Sequence, residues 1–350
     1  MLTIALDAEH TRHSNAGIAR YSRSLATALR KQSGVRLIEL GGGEVVRRGT
    51  VRKKITTARH DLLWYPVLAR RTASRLGADI YHSPLLRGPL TKGKPPFVMT
   101  VHDAVPVRNP ETMPRWHRAY TALVLRRLLD AADRIITPSQ NTADDLSMLL
   151  GIQANKIRVI PNGVDQIFFD SPRINKNNGA AAGSYILFVG TPEPRKNLSR
   201  LLKAVRILRG RGFSERLLLV GSGGWGRDAI SGSETGVQAL GRVTDSELAS
   251  LYAHAACLAL PSLHEGFGLP ALEAMAAGTP VVAGNAGALP EVTGGAAVLV
   301  DPESEIAIAD GIARALSERD RLTAAGRARA RQFTWERAAA LTAEVYRELA

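Results

Sequence analysis

The chain has 350 residues, of which 45% are hydrophobic but only 5% aromatic, and a formal net charge of +14. That length and apolar content suit two globular domains with aliphatic cores and exclude a disordered or fibrous chain. A single cysteine, Cys257, rules out an internal disulfide and points to a reducing cytoplasm; no apolar run reaches the ~20 residues of a membrane span, and the positive balance calls for an anionic partner.

Leu2 to Leu6 read as a short apolar strand ending at Asp7, too short and too soon acidic for a secretory leader. A polar loop leads to Gly17, after which Ile18, Tyr21, Leu25, Ala28 and Leu29 fall on one helical face. Strand, loop, glycine and helix make a turn ready for an anion, although a plain helix-starting glycine explains Gly17 equally well. Val35 to Leu40 is a second strand. From Val45 to Arg75 the chain carries Arg47, Arg48, Arg52, Lys53, Lys54, Arg59, Arg70, Arg71 and Arg75 against one acid, Asp61, with Leu62 to Leu68 (LLWYPVL) embedded. Pro66 is expected to break any long helix there. Cations flanking such a stretch suit an anionic membrane surface or a solvated face over a core helix, and no DNA- or RNA-reading motif accompanies them.

Asp79 to Pro84 and Phe97 to Val101 read as strands that deliver His82 and His102 to the edge where ligands bind in open α/β sheets. Either histidine alone reads equally as a hydrogen-bonded structural residue. A helix from Pro114 to about Asp130, a strand at Arg134, a helix over Gln140–Leu150 capped by Ser139, and a strand at Lys156–Ile160 follow. Repeated strand–helix alternation implies a parallel, doubly wound sheet.

Ser171 to Ser184 lacks hydrophobic periodicity and reads as a linker. Tyr185–Val189 is a buried strand, and Arg195-Lys196-Asn197 precedes the helix Leu198–Leu208, where two cations can neutralise a diphosphate. Arg216–Val220 and Val237–Leu240 are strands, Gly221 to Gly226 a glycine-rich turn, and Asp245–His254 a helix. The strand Ala255–Leu260 feeds the turn Glu265-Gly266-Phe267-Gly268 and then a helix with Pro270 as its first residue, ended by Gly278. Such a helix start offers N–H groups and a positive dipole end to a phosphate. Glu265 in the turn and Glu273 in the first helical turn suit hydroxyl-rich ligands, because a carboxylate accepts bidentate bonds from vicinal hydroxyls. Taken singly, Glu273 reads as a helix-start acid and Glu265 as a solvated loop residue. Together with the N–H groups they suggest a nucleotide sugar. Three helices, Ile306–Leu316, Arg319–Arg331 and Phe333–Leu349, close the chain.

The segment Glu265-Gly-Phe-Gly-Leu-Pro-Ala-Leu-Glu273 resembles the E-x7-E motif of retaining glycosyltransferases of family four. The match continues through Gly278-Thr-Pro-Val-Val282 and Leu289-Pro-Glu-Val292, and reaches back to Arg195-Lys196-Asn197, Pro161-Asn-Gly-Val-Asp165, His102-Asp103 and Gly17-Ile-Ala-Arg-Tyr21. The resemblance implies the GT-B fold: two Rossmann-like, doubly wound parallel-sheet α/β domains facing a cleft. An acceptor-binding domain over residues 1–170, a linker over 171–184 and a donor-binding domain over 185–333 are expected, with the final helix, 334–350, packing back on the first domain.

It further implies a retaining hexosyltransferase needing no cofactor and no metal. Glu265, His102, Arg195 and Lys196 would be its catalytic group. The donor would be bound by Gly17, Arg195, Lys196, Val243, Glu265, Gly266, Phe267, Gly268, Leu269 and Glu273, with Glu273 on the ribose and the backbone near Val243 on the base. Ala19 and Thr191 depart from the family pattern, each at a place where some members have a phosphate contact. The Gly17, His102 and Arg195 strings look most like those of mannosyltransferases, which makes GDP-mannose the expected donor. The acceptor would be a glycan or lipid-linked glycan in envelope or exopolysaccharide synthesis, in the cytoplasm or on the inner membrane face, with peripheral contact to anionic lipid and none to nucleic acid. A UDP-sugar transferase, a nucleotide-sugar hydrolase or epimerase, and a non-catalytic polyanion binder are the competing readings.

Overall fold

The computed structural model describes residues 1–12, 17–41, 60–104, 108, 124–170, 185–221 and 235–350. The expected linker, the basic residues 45–59, the start of the helix expected from Pro114 and most of the 221–226 turn lie outside them. The chain forms two units, Met1–Gly163 with Thr334–Ala350, and Val164–Phe333.

The first unit is built on six parallel strands, β1 (Leu2–Asp7), β2 (Val35–Leu40), β3 (Ile80–Ser83), β4 (Phe97–Thr100), β5 (Arg134–Thr137) and β6 (Ile157–Val159), in the order β2-β1-β3-β4-β5-β6. Its central strands are buried on both faces, which is why they read as unbroken apolar runs. Ile4, Ile80, Val98 and Ile136 face α1 (Gly17–Leu29) and the C-terminal helix Trp335–Arg347. Ala5, Tyr81, Phe97, Met99 and Ile135 face the opposite layer, which includes α2 (Ala69–Arg75) and α3 (Gln140–Leu150). Ser139 caps α3 as expected, accepting from Thr142 N at 3.1 Å. Two details differ from the sequence reading. Ile18 is 39% exposed, and Ala19, Ser22 and Ala26 complete the buried face of α1. Pro66 does not end its helix: it lies inside a π-helical stretch, His60–Leu68, that runs directly into α2.

His82 is fully buried at the end of β3 and is a structural residue. Its Nδ1 lies 2.6 Å from the Tyr346 hydroxyl on the C-terminal helix and its Nε2 2.9 Å from Thr100 Oγ1, which in turn meets the Tyr21 hydroxyl at 3.1 Å. The network ties α1, β3, β4 and the C-terminal helix together. Burial drives the imidazole from 6.5 down to about 3, so the ring is neutral in the folded protein, and the nearby His102 pushes the same way. Asp7, buried at the end of β1, goes the other way. Desolvation raises it to about 6, against hydrogen bonds from Glu9 N, the Tyr81 hydroxyl and Trp64 Nε1.

The second unit has six parallel strands, β7 (Tyr185–Val189), β8 (Arg216–Val220), β9 (Val237–Gly241), β10 (Cys257–Leu260), β11 (Val281–Gly284) and β12 (Val298–Val300), in the order β12-β11-β10-β7-β8-β9. Counted within the unit this is 3-2-1-4-5-6 read from the other edge, the Rossmann order, and the order reverses between β7 and β10. The helices are α4 (Gln166–Phe169), α5 (Leu198–Gly210), α6 (Asp245–His254), α7 (Leu269–Ala277), α8 (Leu289–Thr293), α9 (Glu305–Ser317) and α10 (Arg319–Ala330). Alternate β7 residues serve opposite layers: Tyr185, Leu187 and Val189 pack with α6 and α7 residues, Ile186 and Phe188 with α5 and α9 residues. Cys257 lies in that core, its thiol pushed up to about 12 by burial.

The boundary expected at residue 170 falls instead between Gly163 and Val164. Phe168 of α4 is buried edge-on against Tyr252 at 5.8 Å, and Val164 N donates to Phe333 O at 3.1 Å, so these residues belong to the second core.

The His82 network predicts a pH signature. The folded pKa lies below the ordinary 6.5, so the neutral ring's contribution is full above pH 6.5 and is lost as the pH falls toward 3. His82→Gln should cost about 2 kcal/mol at pH 7.5 in urea unfolding, and the gap to wild type should narrow between pH 6.5 and 4. A gap independent of pH would show that the ring is not held neutral.

Candidate active site

Both sides of the β7/β10 reversal contribute to one buried ionic cluster. After β7 the chain passes Gly190 and enters a short 3-10 turn, Pro194–Lys196. After β10 it passes Pro261 and Ser262 and reaches Glu265. Lys196 Nζ meets Glu265 Oε1 at 2.5 Å, Arg195 Nη1 meets Glu265 Oε2 at 3.1 Å, and Ser262 Oγ donates to Oε1 at 2.7 Å. Arg195 also pairs with Glu193 at 3.0 Å. Glu265 is 6% and Lys196 7% exposed, so this is no solvated loop pair. Burial alone would raise the Glu265 carboxyl. The charges of Lys196 and Arg195, with hydrogen bonds from Lys196 and Ser262, overturn that and hold it at about 2.

The two loops are fastened as well as paired. Leu263 N donates to Arg195 O at 2.7 Å. Asn197 sits in the left-handed region, at φ 61° and ψ 34°, where a non-glycine residue is uncommon. Its buried amide donates to Pro261 O at 2.9 Å and Pro302 O at 2.6 Å, joining the ends of three strands. Asparagine is one of the few non-glycine residues that tolerate this backbone. Gly287, at φ +58°, lies so close that a Cβ would stand 2.6 Å from Glu265 O; Ala288 N then donates to that oxygen at 2.9 Å.

Two helices start at this cluster, and neither has a side-chain cap or an acid in its first turn. They are α5 after Asn197 and α7 after Gly268, itself at φ 100°. Elsewhere α3, α6, α9 and the C-terminal helix use a Ser or Thr cap, while α2, α4, α8 and α10, like α5 and α7, have no side-chain cap. Uncapped N-termini facing a pair of cations favour an anion. Gly266, Phe267 and Gly268 are buried and Leu269 half-buried in the turn that opens α7.

Glu273 departs from its sequence reading. The helix begins at Leu269, one residue before Pro270, so Glu273 is in the second turn and not at the helix start. It is 3% exposed, and the buried Tyr252 hydroxyl donates to its Oε2 at 3.0 Å. Val243 lies half-buried between β9 and the capping residue Thr244 of α6, packed on the core below α7.

Gly17 and His102 belong to the first unit. Gly17 is exposed at the start of α1, and a Cβ there would meet nothing, so the fold itself does not demand glycine. His102 follows β4, half-buried edge-on to Tyr21 of α1 with centroids 4.6 Å apart. Its Nε2 donates to Pro84 O at 3.0 Å, which leaves Nδ1 as the acceptor. Burial lowers its pKa, opposed by the Pro84 bond and Asp103. The residues that sequence reasoning missed are Ser262 and Tyr252, which orient the two glutamates, and Gly287. Only Ser262, three residues before Glu265, left a local signal.

Two doubly wound parallel sheets, the second with two cations and a carboxylate at its reversal, are the arrangement of the GT-B class of glycosyltransferases. Residues 15–166 match the model of Glycosyltransferase Family 4 and residues 183–318 that of Glycosyl transferases group 1. O-antigen chain mannosyltransferase B of Escherichia coli is 35% identical over 77% of this chain and 74% of that protein. O-antigen chain mannosyltransferase RfbU of Salmonella typhimurium is 27% identical over 83% and 85%. The chain belongs to glycosyltransferase family 4. The fold is shared with sucrose-phosphate synthase from Thermosynechococcus elongatus (TM-score 0.73, 22% identity, 100% of this chain and 99% of that one). It is also shared with Anabaena HepE in complex with UDP and glucose (0.74, 18%, 99% and 100%).

The cluster sets a stability prediction. Glu265→Gln leaves the buried Lys196 and the half-buried Arg195 short of a counter-charge and should cost about 3 kcal/mol in urea unfolding at pH 7. A depressed carboxyl contributes above pH 4.5 and loses that contribution toward pH 2. The wild-type advantage should therefore shrink over that interval, and an unchanged midpoint at pH 7 would contradict the pairing.

Proposed function

We propose that this glycosyltransferase moves mannose from GDP-mannose to a hydroxyl of a glycan or lipid-linked glycan, with retention of configuration, in envelope or exopolysaccharide synthesis. The observation that carries the reading is the Arg195–Lys196–Glu265 cluster between two uncapped helix starts. The mannosyl assignment is supported by the relatives named mannosyltransferases.

In this reading the donor diphosphate takes Arg195 and Lys196 from Glu265, one anion replacing another without leaving a cation unpaired. Glu265 is thereby freed to accept from sugar hydroxyls, with the N–H groups of Gly266 to Leu269 beside it. Glu273, aimed by Tyr252, accepts from the ribose hydroxyls, and the backbone near Val243 lies along the base. Gly17 gives the diphosphate clearance, and Nδ1 of the neutral His102 accepts from the donor sugar. The cations and the helix dipoles stabilise the departing diphosphate, which is the larger part of the catalysis. No metal is needed for that role and no protein nucleophile is assigned: the leaving phosphate takes the acceptor proton on the face it departs from. We place the enzyme in the cytoplasm, peripheral to the inner membrane face.

A thermal-shift panel of GDP-, UDP- and ADP-sugars tests the donor. At about a hundred times its Kd, GDP-mannose should stabilise the protein by about 2.7 kcal/mol, and Glu273→Gln should lose most of that shift. A larger shift from a UDP-sugar would overturn the donor, and no shift from any nucleotide sugar would overturn the reading.

A further inference from the structure

Leu63, Val67, Leu68 and Leu76 are 52%, 37%, 45% and 50% exposed; the first three lie in the helical run from the π-helical stretch through α2, and Leu76 is the residue that ends it. The inner face of the run is well anchored. Tyr65, Ala69 and Ala73 are buried in the first unit's core, and Trp64 Nε1 donates to the buried Asp7 at 3.1 Å. The outward side chains are therefore held out by the fold. Val67, Arg71 and Arg75 follow one another at four-residue spacing, and Leu68 and Leu76 lie on the neighbouring row.

The same face is cationic by construction. Arg70 is buried and donates to Pro95 O at 2.9 Å, Thr91 O at 2.8 Å and Gly93 O, which pins the 91–95 loop against α2. That loop sets Lys92 and Lys94 opposite Arg71 and Arg75 across a cleft of about 440 Å³, with Val67 and Pro66 in its wall. From Leu63 to Leu76 and from Pro84 to Pro96 the sequence has no acid. None of these four exposed cations forms an ion pair with a described residue.

We propose that this face docks on an anionic lipid bilayer, with Leu63, Leu68 and Leu76 entering the headgroup–acyl boundary and Arg71, Arg75, Lys92 and Lys94 gathered on lipid phosphates. Charge complementarity selects an anionic surface, and the exposed leucines select a bilayer over a nucleic acid, whose phosphates would use the cations alone. The inference gives a surface to the peripheral placement proposed above and does not depend on the donor.

Co-sedimentation with vesicles tests it, using equimolar phosphatidylglycerol and phosphatidylcholine against phosphatidylcholine alone. Wild type should sediment with the anionic vesicles only. Leu63→Asn/Leu68→Asn/Leu76→Asn, which leaves the charge unchanged, and Arg71→Glu/Arg75→Glu should each lower the partition coefficient by about tenfold or more. All five positions are exposed, so the unfolding midpoint and the GDP-mannose shift should match wild type; loss of that shift in wild type would count against the donor reading and not this one. Wild type remaining in the supernatant at low salt would overturn the proposal. So would an unchanged partition of the leucine variant, especially if an RNA oligonucleotide competed for the same cations.

Discussion

Burying a carboxylate costs several kcal/mol unless opposite charge and hydrogen bonds meet it, and the second unit is arranged so that they meet it at Glu265. Lys196 and Arg195 come from the loop after β7, Ser262 and Glu265 from the loop after β10, and the sheet makes those strands neighbours. The remaining features follow from holding that cluster in place. Asn197 adopts a left-handed backbone, donates its amide N–H groups to Pro261 and Pro302, and takes Arg200 Nη1 on its Oδ1, with no cap bond to α5. Gly287 leaves room for a second loop to lie against the Glu265 backbone. The starts of α5 and α7 have no side-chain cap and stand beside cations whose present partner is an anion, an arrangement suited to exchanging that partner for a diphosphate.

The first unit uses its buried polar groups differently. His82 and Asp7 stand at the strand edge where ligands usually bind, yet both are filled by internal partners. His82 joins Thr100 to Tyr346 of the C-terminal helix, and Asp7 joins Tyr81 to Trp64 of the basic helical run. These two networks fix the helices that flank the sheet and leave His102, with one nitrogen bonded to Pro84 and the other an acceptor, as the histidine suited to a ligand.

Much of this was legible in the sequence because it was local. The strands of the second unit are continuous apolar runs, Gly278 ends α7 at φ 82°, and the Glu265-to-Glu273 string marks its loop and helix. What escaped was set by contacts distant in the chain. Nothing near Phe168 announces that it packs on Tyr252, so the unit boundary was expected some seven residues late. Glu273 read as a helix-start acid because Pro270 looked like a first residue, whereas the helix opens at Leu269 and the side chain turns inward to Tyr252. Pro66 reads as a breaker because it cannot donate to an α-helical ladder, whereas the stretch around it is π-helical. His82 and His102 looked alike by position, and only their partners separate them.

If Arg195 and Lys196 hold the donor diphosphate and Glu265 is their resting counter-ion, a crystal structure of the protein with GDP-mannose and no acceptor will show it. Phosphate oxygens should lie within hydrogen-bond distance of both cations, with the Glu265 carboxylate shifted onto sugar hydroxyls and the ribose on Glu273. A diphosphate bound elsewhere, with the Lys196–Glu265 pair still at its 2.5 Å separation, would contradict it.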